Sequence, residues 1–150
     1  MPLQDRIAED LKEAMRQKDA LRRSTLRMIR SAIQYEEINQ QKAMDDAGIV
    51  DVLSRMVRQH QESIAEYQRA ERQDMAAQEG EELAVIRQYL PEQISREELT
   101  RLARSAVDEV GATAPSDMGK VMGKLMPQVR GRADGSEVSL VVREILASLG

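Results

Sequence analysis

Apolar residues recur every three or four positions along nearly the whole chain, and no stretch sustains the two-residue alternation of a half-buried strand. Such spacing lines up apolar side chains on one face of a helix. An all-α, multihelical fold is therefore expected. Leu3, Ile7, Leu11 and Met15 mark a first helix, and Leu21, Thr25, Met28, Ile29, Ala32 and Ile33 a second, entered near Asp19. After a polar break around Met44–Gly48, a third stripe runs through Leu53, Met56, Val57, His60, Ile64 and Tyr67. Met75, Glu79, Leu83, Ile86 and Leu90 form a fourth, weakened by Gly80 in its interior.

Pro91 stops this pattern, and the texture changes. Two of the eight glycines, Gly48 and Gly80, lie in the first 90 residues, and the other six lie beyond. Ser95 and Glu98 have the spacing of a capping box before Leu99, Leu102, Ala103, Ala106, Val107 and Val110, closed by Gly111. Ser116 is placed to cap a helix carrying Met118, Val121, Met122, Leu125 and Met126, which Pro127 should end. Asp134 and Glu137 repeat the capping-box spacing before Val138, Val141, Val142, Ile145, Leu146 and Leu149. Three short helices with one stripe each must close on one another. The expected organisation is an N-terminal bundle of longer helices over residues 1–90 and a C-terminal three-helix subdomain over 91–150.

Composition narrows the function classes. The formal charge of −4 over 150 residues gives no global attraction to nucleic acid or anionic membrane. Without cysteine there are no disulfides, thiolate metal sites or thiol nucleophiles. No apolar run approaches the ~18 residues of a membrane span, and the first residues do not read as a signal peptide. A soluble, cytoplasmic, monomeric protein without membrane contact is expected. With three Tyr and no Phe or Trp, the chain has few platforms on which unpaired bases could stack.

No catalytic set emerges. The single histidine, His60, falls on an apolar stripe, and no second His or Cys exists to complete a soft metal site. Asp45–Asp46 and Glu79, Glu81 and Glu82 read as a solvated loop or helix face, since none has a calcium-loop pattern. Gly119 to Gly123-Lys124 leaves three intervening residues where a P-loop needs four, Leu125 stands where Ser or Thr is required, and no strand precedes it. No metal, cofactor or catalytic residue is expected.

The segment Gly119–Gly135, GKVMGKLMPQVRGRADG, stands apart. Residues 118–132 carry Lys120, Lys124, Arg130 and Arg132 and no acid, a net +4 within an acidic chain. Lys120 and Lys124 are one helical turn apart and project on the same side. Arg130 and Arg132 fall in the loop feeding the last helix, whose N-terminus favours anions. Gly131 and Gly135 would let the backbone approach a phosphate closely. Two readings stand side by side: a phosphate-contact surface, or a solvent-facing set of cations with Gly119 and Gly123 allowing two helices to pack closely. A second cationic run, Lys12 to Arg30, holds seven basic and two acidic residues, and Arg23, Arg27 and Arg30 share one helix face.

Leu90–Gln93 (LPEQ), the segment just described with Val138 after it, LRMIRSAI at Leu26–Ile33 with Glu37, and ESIAEY at Glu62–Tyr67 with Arg72 together resemble the GatB/YqeY family. The likeness covers essentially the whole chain. It implies a two-subdomain helical protein similar to the tail of the B subunit of glutamine-dependent aspartyl/glutamyl-tRNA amidotransferase, where the tail helps hold tRNA. The family is described under carbon–nitrogen ligase activity with glutamine as amido donor. This chain has only the tail-like part, without glutaminase Ser/Lys machinery or a kinase cradle, so the catalytic label is not expected to transfer. The leading expectation is a non-catalytic tRNA-binding accessory using Lys120, Lys124, Arg130, Gly131, Arg132 and Gly135, with amidotransferase or aminoacyl-tRNA synthetase components as further partners. The alternative is a helical protein-interaction adapter without RNA binding.

Overall fold

The structure is a computed structural model that describes residues 1–149. Among these residues there are seven α-helices and no strand: α1 (Leu3–Arg16), α2 (Ala20–Gln40), α3 (Asp46–Arg69), α4 (Gln73–Arg87), α5 (Arg96–Val110), α6 (Met118–Val129) and α7 (Gly135–Leu149). A 3-10 turn, Pro115–Asp117, leads into α6. The all-α expectation is met. Two compact units divide the chain, one ending at Leu90 and the next starting at Pro91.

In the first unit, α1 to α4 close around an aliphatic core. Ile7 and Leu11 from α1, Leu26, Ile29 and Ile33 from α2, Ile49, Leu53 and Met56 from α3, and Ile86 from α4 are buried together. On α1, Ala14 rather than Met15 faces this core, and Met15 is exposed. Helix starts follow side-chain chemistry. Asp19 Oδ1 accepts the Arg22 amide at 3.1 Å, and Asp45 Oδ1 accepts the Gly48 amide at 2.8 Å, so each carboxylate satisfies a donor that a helix start leaves open.

Tyr89, only 2% exposed, ties the end of α4 back to the first two helices. Its hydroxyl donates to Asp10 Oδ2 at 2.6 Å and accepts from Arg22 Nη2 at 2.9 Å. Arg22 also donates to Gln88 Oε1 at 2.6 Å, while the Arg6 guanidinium lies 4.8 Å from the Tyr89 ring centroid. Burial and the bond to Asp10 push the phenol well above its ordinary range, so it stays a neutral donor.

In the second unit, Leu99, Ala103 and Val107 of α5 meet Val121, Leu125 and Val129 of α6 and Val138, Val142 and Leu146 of α7. Ser95 Oγ accepts the Glu98 amide at 3.1 Å, but the Glu98 carboxylate turns to Arg101 instead of completing the capping box. Gly111, at φ +67°, closes α5 in the left-handed region that suits glycine. Two local expectations are corrected. Ser116 lies within the 3-10 turn and does not cap α6; Asp117 Oδ2 organises that turn by accepting the amides of Thr113 at 2.9 Å and Ala114 at 3.3 Å. Pro127 does not end α6, which continues to Val129 because that side chain is fully buried in the core.

Tyr89→Phe keeps the ring and removes both hydroxyl bonds, leaving the half-buried Asp10 and Arg22 each one partner short. A loss of about 1–2 kcal/mol is expected, read as a lower urea midpoint for the first unit with α-helical content unchanged before the transition.

Candidate nucleic-acid interface

Helix α6 turns Val121, Leu125 and Val129 inward and leaves Gly119, Lys120, Gly123 and Lys124 exposed. The lysine spacing thus projects as expected. Lys120 and Lys124 are 71% and 50% exposed. Lys120 Nζ lies 3.9 Å from Asp117 Oδ1, and Lys124 Nζ lies 3.1 Å from Glu109 Oε2 at the end of α5. Both are surface pairs of the kind worth at most about 1 kcal/mol.

Gly119 and Gly123 do not serve close helix packing. A Cβ added at either would meet nothing within 4 Å. Each therefore weakens α6 by about 0.5–1 kcal/mol relative to alanine with no gain inside the fold. What they leave is a low, backbone-rich strip beside two lysines.

The loop after α6 is built differently. Gly131 takes φ +75°, and its carbonyl accepts Gln93 Nε2 at 2.7 Å. The Ile94 amide donates to the Arg132 carbonyl at 3.0 Å. Arg132 Nε donates to the Glu92 carbonyl at 3.2 Å, and Nη1 to the Gln128 carbonyl at 3.4 Å. The Glu92–Ile94 and Gly131–Arg132 segments, remote in sequence, thus hold each other within the second unit. Arg130, exposed, closes α6, and its amide donates to the Met126 carbonyl at 2.9 Å. Gly135 is the first residue of α7, has room for a Cβ and needs no positive φ. At that helix start Asp134 Oδ1 already accepts the Ser136 amide at 3.0 Å, so a carboxylate occupies the anion-favouring end.

The Lys12–Arg30 run belongs to the first unit and is mixed in role. Lys12 and Arg16 pair with Glu9 and Glu13 on their own helix, and Arg22 is part of the Tyr89 cluster. Arg23, Arg27 and Arg30 lie along α2 without an ion pair among the described residues.

A third group was not assembled from sequence. The α3–α4 hairpin brings His60 to Glu79 and Glu82, with Nε2 at 3.2 Å from Glu79 Oε2 and 3.9 Å from Glu82 Oε1. Burial, and secondarily the Glu79 charge, push the Glu82 carboxyl upward, while His60 acts in the opposite sense. The available signal was that Glu79 and Glu82 are one turn apart on a helix whose stripe already included Glu79.

Residues 4–146 match the family described as Yqey-like protein, and the chain belongs to that family. It is 32% identical to "Altered inheritance of mitochondria protein 41, mitochondrial" of Kluyveromyces lactis, over 79% of this chain and 66% of that protein. The protein of the same name from Pyrenophora tritici-repentis is 31% identical over 95% of this chain and 80% of its own length. In Lachancea thermotolerans the identity is 36%, over 56% of this chain and 46% of the relative. The chain thus spans from just under half to four fifths of these relatives. Their names correct one expectation: they are called mitochondrial, so the cytoplasmic reading is withdrawn.

The two loop glycines should separate cleanly. Gly131→Ala forces a Cβ into the left-handed region and is expected to cost the second unit about 1–2 kcal/mol, with faster hydrogen exchange at the Ile94 amide. Gly135→Ala should leave exchange at the Ile94 amide unchanged and stability equal to or slightly above wild type.

Proposed function

We propose that this YqeY-like protein is a non-catalytic accessory that binds the folded tRNA backbone. The observation that carries the reading is the exposed strip of α6, where Lys120 and Lys124 flank two glycines that serve no packing purpose. A phosphate can take over from Asp117 and Glu109 as lysine partner at small loss, because both existing pairs are exposed. Glycine at 119 and 123 lets a sugar–phosphate strand approach the helix backbone closely. Arg130 extends the cationic edge, and the Gly131–Arg132 loop fixes where it stands. The resemblance to the amidotransferase B-subunit tail supplies the RNA class. Scarce aromatic residues favour shape and phosphate recognition over base reading.

A second reading is favoured by one feature of the other unit. On α2, Tyr35 and Ile38 are 65% and 76% exposed, an apolar pair suited to a protein partner. Capture of a partner that survives nuclease treatment and is lost in Tyr35→Ser/Ile38→Ser would support the adapter.

The deciding experiment measures total-tRNA binding across a salt series. The Lys120→Ala/Lys124→Ala/Arg130→Ala variant is expected to weaken binding and flatten the log-affinity against log-salt slope by about 1 per lost contact. Gly119→Ala/Gly123→Ala should weaken binding while raising stability by about 1–2 kcal/mol in total. Unchanged tRNA affinity in both variants would remove α6 from the interface, and no binding at low salt would end the tRNA reading.

A further inference from the structure

His60 is carried by the apolar stripe of α3 into the seam with α4 and is 9% exposed. Its Nδ1 lies 3.1 Å from the Met56 carbonyl. A carbonyl only accepts, so Nδ1 carries a proton, and in the neutral ring the lone pair is left on Nε2. That atom is shut off from water and makes no well-aligned hydrogen bond. It nevertheless stands 3.2 Å from Glu79 Oε2 and 3.9 Å from Glu82 Oε1. With the ring neutral and both acids ionised, three electron-pair donors would face one another in a half-buried seam, where their mutual repulsion would be poorly screened.

We propose that His60, Glu79 and Glu82 form a binding site for a divalent transition-metal cation of the zinc type. A ligand set with bonds of about 2.0–2.1 Å in tetrahedral arrangement spaces its donor atoms about 3.4 Å apart. The separations of 3.2 and 3.9 Å bracket that value, and one donor atom from each residue lies within 4.8 Å of the others. One imidazole and two carboxylates suit zinc among the divalent ions more than magnesium or calcium, which favour all-oxygen shells. The Nδ1–H bond to a backbone carbonyl is the support that ligating histidines commonly have, since it fixes the tautomer and the ring plane. Two carboxylates with a neutral ring carry −2, which the cation offsets. His60 comes from α3, and Glu79 and Glu82 come from successive turns of α4, so a bound ion would pin the hairpin and keep a fourth position for water or a partner's group. The competing arrangement is an imidazolium clasped by the two acids. In that arrangement Nε2–H would face Glu79 and Glu82 and no cation would be needed.

The test titrates the metal-free full-length chain with Zn2+ by calorimetry, beside Glu79→Gln and His60→Gln, with folding checked by circular dichroism. One equivalent should bind to wild type, and the dissociation constant should rise at least about tenfold in each variant. Long-range 15N–1H spectra of the single histidine should show Nε2 shifting on Zn2+ addition while Nδ1 remains protonated. Absence of one-equivalent binding would overturn the site, as would a wild-type isotherm in a folded variant. An Nε2 that stays protonated at saturating Zn2+ would do the same and needs no variant to fold.

Discussion

Ile29 and Leu26 on α2, Ile49 and Leu53 on α3 and Ile86 on α4 are completely shielded from water, although each helix carries only one apolar stripe. Burying such a side chain stabilises the fold by about 1.5–3 kcal/mol, while ordering each residue costs about 1–2 kcal/mol of backbone entropy. No helix here recovers that cost alone, so the stripes must find one another. With a single buried aromatic, Tyr89, the interior depends on interlocking aliphatic side chains rather than on a few large anchors. The helix contacts that satisfy this demand also fix where every polar group falls.

Polar chemistry then closes what apolar packing only approximates. Near the end of the first unit, the Tyr89 hydroxyl joins Asp10 of α1 to Arg22 of α2, and neither acid nor base is left unmatched. In the second unit the corresponding task is done by amides and carbonyls: Gln93 on Gly131, Ile94 on Arg132, and Arg132 on Glu92. Arg132 is thus engaged within the fold, whereas Lys120 and Lys124 reach outward to exposed acids. Cations in one basic run divide between holding the structure and presenting charge.

That division marks the limit of what residue spacing could convey. Stripes, the cap at Asp19 and the projection of Lys120 with Lys124 are all local, set by helical period and by short side chains near open amides. Ala14 replacing Met15 in the core depends on how closely α1 meets its neighbours, which spacing does not encode. Pro127 reads as a stop, yet burial of Val129 two residues later carries α6 past it. Within the site, the Gln93–Gly131 bond spans 38 residues, and His60 meets Glu79 and Glu82 only because the α3–α4 hairpin folds. Both are tertiary juxtapositions. Their components were visible as a motif glutamine, a stripe histidine and two acids one turn apart, but what joins them was not.

The same contrast bears on how an acidic chain would hold the RNA-facing patch proposed for α6. With a net charge of −4, long-range attraction to polyanions is absent, and beyond about 8 Å at physiological salt the field of any one patch is screened. Association would then rest on contacts at van der Waals range, where shape decides which phosphates reach the lysines. Glycines at 119 and 123 remove side chains from the approach, so the backbone of α6 itself becomes part of the surface. Asp117 and Glu109 each form a weak surface pair with one of these lysines. A random basic coat would bind any polyanion. In the proposed interface, two paired lysines on a bare helical strip would select for a phosphate chain that fits between them.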